Sequence, residues 1–270
     1  DVQGAVVDEV KLTDMVSAVI SQPLDVLQNT SGVELNKIAT LISEAKRPMI
    51  LIGGGVDRCH IEALDKLLSD HSIPIVTTWN AADRVDSDHS LYFGRPNTWG
   101  MRYSNILVQQ SDLLIAVGTR LGMQQTGFNW QEFIPNGKIV QVDCDLAELN
   151  KGHPTIDVKI HADANHFLLS ILKLDLGNHK DWVDFCTEVK TALPLVENCN
   201  NTDQGYISPY FFHKQLSAIC TSDDIVIPCS SGSAFTVTQQ SFLQKKGQVI
   251  ISNKGLASMG YGLSGAIGAA

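Results

Sequence analysis

Asp112-Leu113-Leu114-Ile115-Ala116-Val117-Gly118-Thr119-Arg120-Leu121 is a continuous apolar run that ends in a glycine, a hydroxyl and a cation. A run without alternation, closed by such a turn, suits a parallel strand covered on both faces. That places it at the centre of a sheet. Ligands of open α/β sheets gather beyond the carboxyl ends of the strands, so Gly118, Thr119 and Arg120 stand where a ligand would be met.

The same pattern repeats on either side of this run. Spacing predicts a helix over residues 33–45, stopped at Arg47-Pro48, then a strand over 49–52 closed by Gly53-Gly54-Gly55. Ile61, Leu64, Leu67 and Leu68 give the next helix one apolar face, and residues 73–77 read as a strand. A helix over 103–110 leads into the central run; a strand over 138–142 follows it and ends in Asp143-Cys144-Asp145. A short helix at 146–150, a strand at 158–160 and a helix at 165–172 complete the series. Strict alternation of strand and helix predicts an α/β domain with a doubly wound, Rossmann-like parallel sheet over residues 33–175. Residues 80–100 carry Asp, Gly, Pro and Trp without a period and predict an irregular loop with a binding or packing role.

Residues 1–32 alternate loosely and are interrupted by Pro23, as a connector from an earlier domain would be. Residues 176–207 are more polar, with Pro194 and an Asn-rich patch at 198–201, and read as a linker with some helix. A second α/β unit is expected over 208–270. Ser208 is its first N-cap and Pro209 its first helical residue. Strands at 225–228 and 248–252 follow, and a glycine-rich helix runs to Ala270. Two strands do not make a stable sheet, so this unit is expected to be incomplete.

Composition excludes several classes. Of the 270 residues 44% are hydrophobic and 18% charged, enough for a core and unlike a disordered chain. A formal net charge of −9 without a basic patch argues against nucleic-acid binding. No apolar stretch approaches the ~20 residues of a membrane span, and the start is no signal peptide. Cys59, Cys144, Cys186, Cys199, Cys220 and Cys229 are widely spaced, without a CxxC pair or zinc spacing. They read as reduced thiols of a cytoplasmic protein.

Three strand ends could meet a ligand. Gly53-Gly54-Gly55 can let backbone amides approach a phosphate, or can be a tight turn with no ligand. Gly118-Thr119-Arg120 adds a hydroxyl and a guanidinium; Asp143 and Asp145 suit ribose hydroxyls, or capping of the next helix, the role favoured for Asp145. Their convergence on one sheet edge predicts a nucleotide site. Gly260-Tyr261-Gly262-Leu263-Ser264-Gly265 fits GxGxxG but lacks the strand directly before it and the acid ~20 residues after, so it reads as a closely packed helix. His161 and His166 straddle a strand-to-helix junction and form no ligand pair, and Ser230, Ser231 and Ser233 offer no nucleophile elbow.

Taken together, the segment from Ala45 to Val56, the run from Ser111 to Leu121, and Val142-Asp143-Cys144-Asp145 with Asp163-Ala164 resemble the central domain of thiamine-diphosphate enzymes, most closely the acetolactate (acetohydroxyacid) synthases. Residues 253–268, with Gly255-Leu256-Ala257-Ser258-Met259-Gly260, resemble the start of the same family's diphosphate-binding domain, and Asp1-Val2-Gln3 the end of its pyrimidine-binding domain. The resemblance implies a chain that decarboxylates a 2-oxo acid such as pyruvate and passes the two-carbon unit to an acceptor carbonyl. A sugar acceptor, simple decarboxylation or oxidation in a related enzyme, and a non-catalytic nucleotide-binding module remain as alternatives. By the same resemblance Met259 takes the catalytic position of the bulky side chain that bends the cofactor into a V. Gly232, Ser233 and Ala234 match the diphosphate-contacting turn, with Gly255 and Ser258 in the block around Met259. Ser230 replaces an acid common in that turn and Ala234 a frequent polar residue.

The synthases bind FAD in the central domain without net redox use of it. Matching positions are Gly53, Gly54, Gly55, Thr77, Gly100, Gly118, Thr119, Arg120, Asp143, Cys144 and Asp163, while Gly122 stands where an Asp is common. The resemblance thus implies thiamine diphosphate, FAD and Mg2+, the metal ligands lying outside this chain and none within it. The activating glutamate is expected before residue 1 and the GDG-Asn motif after Ala270, so the piece alone is expected to be inactive. A homodimer or homotetramer is implied for the intact protein.

Overall fold

The computed structural model of the chain describes residues 30–202, 205–228, 232–253 and 255–270. The expected connector, up to residue 29, lies outside the described residues, as do Cys229, Ser230 and Ser231.

Five strands, β1 (Pro48–Ile52), β2 (Ile75–Thr77), β3 (Leu113–Val117), β4 (Lys138–Asp143) and β5 (Val158–His161), form one wholly parallel sheet. Its order is β2-β1-β3-β4-β5. The opening stretch is therefore central, paired with β1 on one side and β4 on the other, and every residue of β1 and β3 is buried. Alternate side chains feed two cores. Ile50, Ile52, Ile115 and Val117 meet Ile38, Leu64 and Phe167 on one face; Met49, Leu51, Leu114 and Ala116 meet Leu107, Val108 and Trp182 on the other. Burial on both faces is why these strands read as unbroken apolar runs.

Helices α1 (Gly32–Glu44), α2 (Ile61–Ser69), α3 (Arg102–Gln110), α4 (Met123–Thr126), α5 (Leu146–Asn150), α6 (Ala164–Ile171) and α7 (Lys180–Ala192) complete the domain. The start of α1 is set by a capping box in which Ser31 and Glu34 satisfy each other's backbone amides. Asp112, at the head of the central run, accepts from the amides of Lys46 and Arg47 at 2.9 and 2.8 Å and so fixes the turn into β1. The strand expected from Ile73 begins only at Ile75, because Pro74 has no amide to donate, although its carbonyl accepts from Ile50 at 3.0 Å. Within the stretch expected as a linker, α7 packs Trp182 and Cys186 into the second core, and the Trp182 indole donates to the Pro48 carbonyl at 3.0 Å.

The second unit comprises α8 (Pro209–Ile219), β6 (Ile225–Val226), α9 (Gly232–Ser241), β7 (Val249–Ile250) and α10 (Tyr261–Ala269). Strands β6 and β7 pair in parallel and are shorter than expected. Ser208 is the N-cap of α8 but its side chain makes no capping bond. The glycine-rich helix forms, starting at Gly260 with φ 84°, yet it is not closely packed among the described residues: Leu263 and Ile267 are 74% and 72% exposed.

What steadies so small a sheet is the irregular loop of the first domain. Arg95, only 1% exposed, donates to the carbonyls of Gln239 and Phe242 and to Oε1 of Gln244, each at 2.6 Å. A cation there suits the carboxyl end of α9. Asp83 accepts from the Ile250 amide at 2.8 Å while Arg58 donates to the Ile250 carbonyl at 3.0 Å, so β7 is bonded to the central domain through both backbone groups.

Candidate functional site

In the order β2-β1-β3-β4-β5 the chain reverses direction across the sheet between β1 and β3, and ligands of doubly wound sheets sit at such a switch point. Here the two strand ends are in contact. The Gly53 amide donates to the Val117 carbonyl at 2.8 Å and the Gly55 amide to the Gly118 carbonyl at 2.9 Å. Gly118 has φ +63°, and its amide continues the ladder to Val142 at 3.0 Å. A Cβ on Gly55 would lie 2.9 Å from the Gly118 Cα, so the bare backbone is required by the contact between the turns. The amides of Gly53 and Gly55 are thus engaged by the neighbouring strand end.

Above this contact opens a cleft of about 630 Å³. Gly54, Gly55, Gly118, Thr119 and Arg120 line it, so five of the positions expected to hold a nucleotide come together at one place. The size is in the range of small-molecule and cofactor sites. Leu121, in the left-handed region at φ 47°, and Gly122, the N-cap of α4, continue the wall. With glycine at 122, α4 has no side-chain cap. Thr78, Trp79, Asn80 and Asn97 also line the cleft, none of them named as site residues from sequence. The one signal, for Asn80 and Asn97 alone, was the aperiodic composition of residues 80–100. That loop serves both roles, since Asn80 and Asn97 line the cleft while Arg95 bonds the carbonyls of Gln239 and Phe242; Trp79, just before it, packs edge-on against Phe235 at 5.1 Å.

Arg120 is not an isolated cation. Its guanidinium meets Glu148 at 2.6 and 2.7 Å, and Lys151 reaches both Glu148, at 3.0 Å, and the Arg120 carbonyl. Burial works against ionisation of Glu148, but the hydrogen bonds from Lys151 and Arg120 outweigh it and hold the carboxyl below its usual range. Hydrogen bonding to Glu148 also raises Arg120, which stays charged.

The remaining expected positions lie outside the cleft lining. Asp143 is buried and accepts from the Asp145 amide at 2.9 Å, and Asp145 caps α5 through the Ala147 amide at 2.8 Å. Asp163 caps α6 through the His166 amide at 2.8 Å. Cys144 is exposed beside them; partial burial and then Asp143 push its thiol up, and its carbonyl bonds His161 at 3.0 Å. Thr77 is fully buried with its hydroxyl 3.1 Å from that of Tyr92. Gly100 lines a separate recess of about 240 Å³ with Arg102, Tyr210 and Gln240. Gly232, Ser233, Gly255, Ser258 and Met259 are exposed, Met259 by 91%. A Cβ on Gly232 or Gly255 would meet nothing within 4 Å. None of these five residues lines the cleft or the recess.

Cys59, Cys144, Cys186, Cys199 and Cys220 are free thiols. Asp57, Cys59 and His60 bring their ligand atoms within 4.8 Å of one another in the turn before α2, where Asp57 and Cys59 are exposed. No helix among the described residues is long and apolar enough to cross a membrane.

The sequence model of the family described as "Thiamine pyrophosphate enzyme, central domain" matches residues 35–171. The chain is 30% identical over 248 residues to a probable acetolactate synthase large subunit of Methanocaldococcus jannaschii, an alignment covering 88% of this chain and 41% of that protein. It is 29% identical over 244 residues to the acetolactate synthase large subunit of Corynebacterium glutamicum, covering 87% and 38%. With the acetolactate synthase isozyme 1 large subunit of Escherichia coli K12 it shares 29% over 243 residues, covering 89% and 42%. The chain therefore spans about two fifths of the length of these relatives.

Proposed function

The chain belongs to the thiamine-pyrophosphate enzyme family through its central domain, and on that premise we propose that it is the nucleotide-holding part of an acetolactate synthase-like carboligase. The observation that carries this reading is the cleft at the β1/β3 switch point, where Gly54, Gly55, Gly118, Thr119 and Arg120 converge. Support beyond the central domain comes from the relatives, whose alignments run over 243 to 248 residues and so extend past residues 35–171.

In this reading residues 33–175 form the central domain, 176–207 the connection, and 208–270 the beginning of the diphosphate-binding domain. The cleft holds FAD. Its bare glycine backbone receives the dinucleotide closely, Thr119 offers a hydroxyl, and the Arg120 side chain supplies positive charge held in place by Glu148. Asp143, Cys144 and Asp163, at the ends of β4 and β5, lie along the same carboxyl edge of the sheet, in line with a ligand longer than the cleft. The exposed residues Gly232, Ser233, Gly255, Ser258 and Met259 become part of a thiamine-diphosphate site on assembly of the whole protein as a homodimer or homotetramer. Mg2+ is bound by groups outside this chain. Bound thiamine diphosphate supplies the carbanion chemistry that releases carbon dioxide from a 2-oxo acid and adds the remainder to an acceptor carbonyl.

The direct test is acetolactate formation from pyruvate by the full-length protein with thiamine diphosphate, Mg2+ and FAD. Product formation is expected. Turnover of pyruvate to acetaldehyde alone would assign a decarboxylase instead, and no turnover with any 2-oxo acid would leave a binding module.

A further inference from the structure

We propose that Gln141 is a positioning residue of the cleft: from the middle of β4 its carboxamide holds the Thr119 carbonyl and thereby sets the 118–122 turn in the shape that receives a ligand. The ligand half of this statement rests on the nucleotide reading above; the positioning half stands without it.

Gln141 interrupts the apolar sequence of β4 between Val140 and Val142, opposite Ala116 of the central strand, and is wholly buried. An amide at such a place is costly unless bonded. Its Nε2 donates to the Thr119 carbonyl at 3.0 Å, whereas its Oε1 makes no hydrogen bond to the described residues. Two carbonyl oxygens would repel each other there, so the amide nitrogen must face Thr119. The carbonyl of the carboxamide is left without a partner among the described residues, a cost that an apolar side chain of equal length would not carry. Among the described residues the one hydrogen bond its side chain makes is directed at the wall of the cleft.

That wall needs holding. Between Gly118, at φ +63°, and Gly122 the chain passes through Leu121 at φ 47°, a left-handed conformation that is strained for a residue with a Cβ. Among the described residues the Leu121 amide has only a long contact with Thr119 Oγ1, at 3.5 Å. Gln141 anchors the turn from below at Thr119, and Lys151 anchors it from the solvent side at the Arg120 carbonyl. Gln141 itself does not line the cleft, so it acts through Thr119 and Leu121, which do.

The test compares the full-length protein with its Gln141→Met variant, which matches the side chain in length and lacks the donor. In the absence of ligand, exchange of the 119–122 amides is expected to rise by roughly five- to tenfold, while the thermal midpoint stays the same or increases. Affinity for FAD, used as the probe, falls by a similar factor. Gln141→His, with a ring N–H in reach of Thr119, is expected to recover part of the protection. Unchanged exchange of the turn in Gln141→Met would overturn the proposal, as would failure of that variant to fold or a loss of global stability that accounts for the faster exchange. If the unsubstituted protein does not bind FAD, the nucleotide reading fails while the exchange result still decides the role of Gln141.

Discussion

The backbone of Gly53 lies directly against that of Gly118, so closely that a Cβ on Gly53 would overlap the Gly118 carbonyl oxygen. The two turns at the switch point thus form one unit. Gly53→Ala must push β1 and β3 apart at their carboxyl ends, at a cost of about 1–3 kcal/mol. Gly118→Ala adds left-handed backbone strain and an approach of 3.0 Å to Ala164 Cβ. Gly122→Ala is the control, because that residue has φ −69° and open space around it. Urea unfolding should show clear losses for the first two and almost none for the third.

Arg95 predicts how the second unit is attached. Gln239, Phe242 and Gln244 all take a hydrogen bond from its buried guanidinium. Arg95→Met takes this donor from the Gln239 and Phe242 carbonyls, while Gln244 Oε1 keeps the Ser87 hydroxyl at 2.6 Å, and is expected to cost about 2–5 kcal/mol. The loss should be local. Amides of residues 232–250 should exchange faster than those of β3, and unfolding should become biphasic; uniform destabilisation of both regions would contradict the attachment described.

Glu148 predicts an acid-limb effect. Its folded-state carboxyl is held low by Lys151 and Arg120 against the opposing effect of burial. A depressed pKa contributes stability that is complete above the usual carboxylate value and is lost as pH falls through the lower folded one. Glu148→Gln should therefore lower the thermal midpoint slightly at pH 7, by the equivalent of under about 1 kcal/mol, and the two proteins should converge in acid. Thermal scans across the acid limb check this, and a difference that grows on acidification would have the wrong sign.

The sheet was legible because its strands are buried on both faces, which leaves unbroken runs such as Leu113–Val117 with a glycine stop. Capping by Asp145 was legible for a local reason, since the acid stands two residues before the amide it accepts from. The part of the cleft lining from residues 78–97 was not. Trp79, Asn80 and Asn97 reach it through a loop whose shape depends on contacts distant in sequence, such as Arg95 with Gln244. Helix α9 escaped notice because polar Thr238, Gln239 and Ser241 are buried beside Phe235 and Val237, which blurs any apolar stripe. Residues 180–192 looked like connection because only Trp182 and Cys186 of that helix are buried. Thr77 matched a cofactor position, yet the pleat turns its hydroxyl to Tyr92 in the core.

The central claim is that a dinucleotide occupies the β1/β3 cleft, and amide exchange of the full-length protein with and without FAD tests it most directly. Protection is predicted at residues 54–55, 78–80 and 118–125, with β2 and β5 little changed. Protection elsewhere with these three segments unaffected, or no protection at saturating FAD, would contradict it.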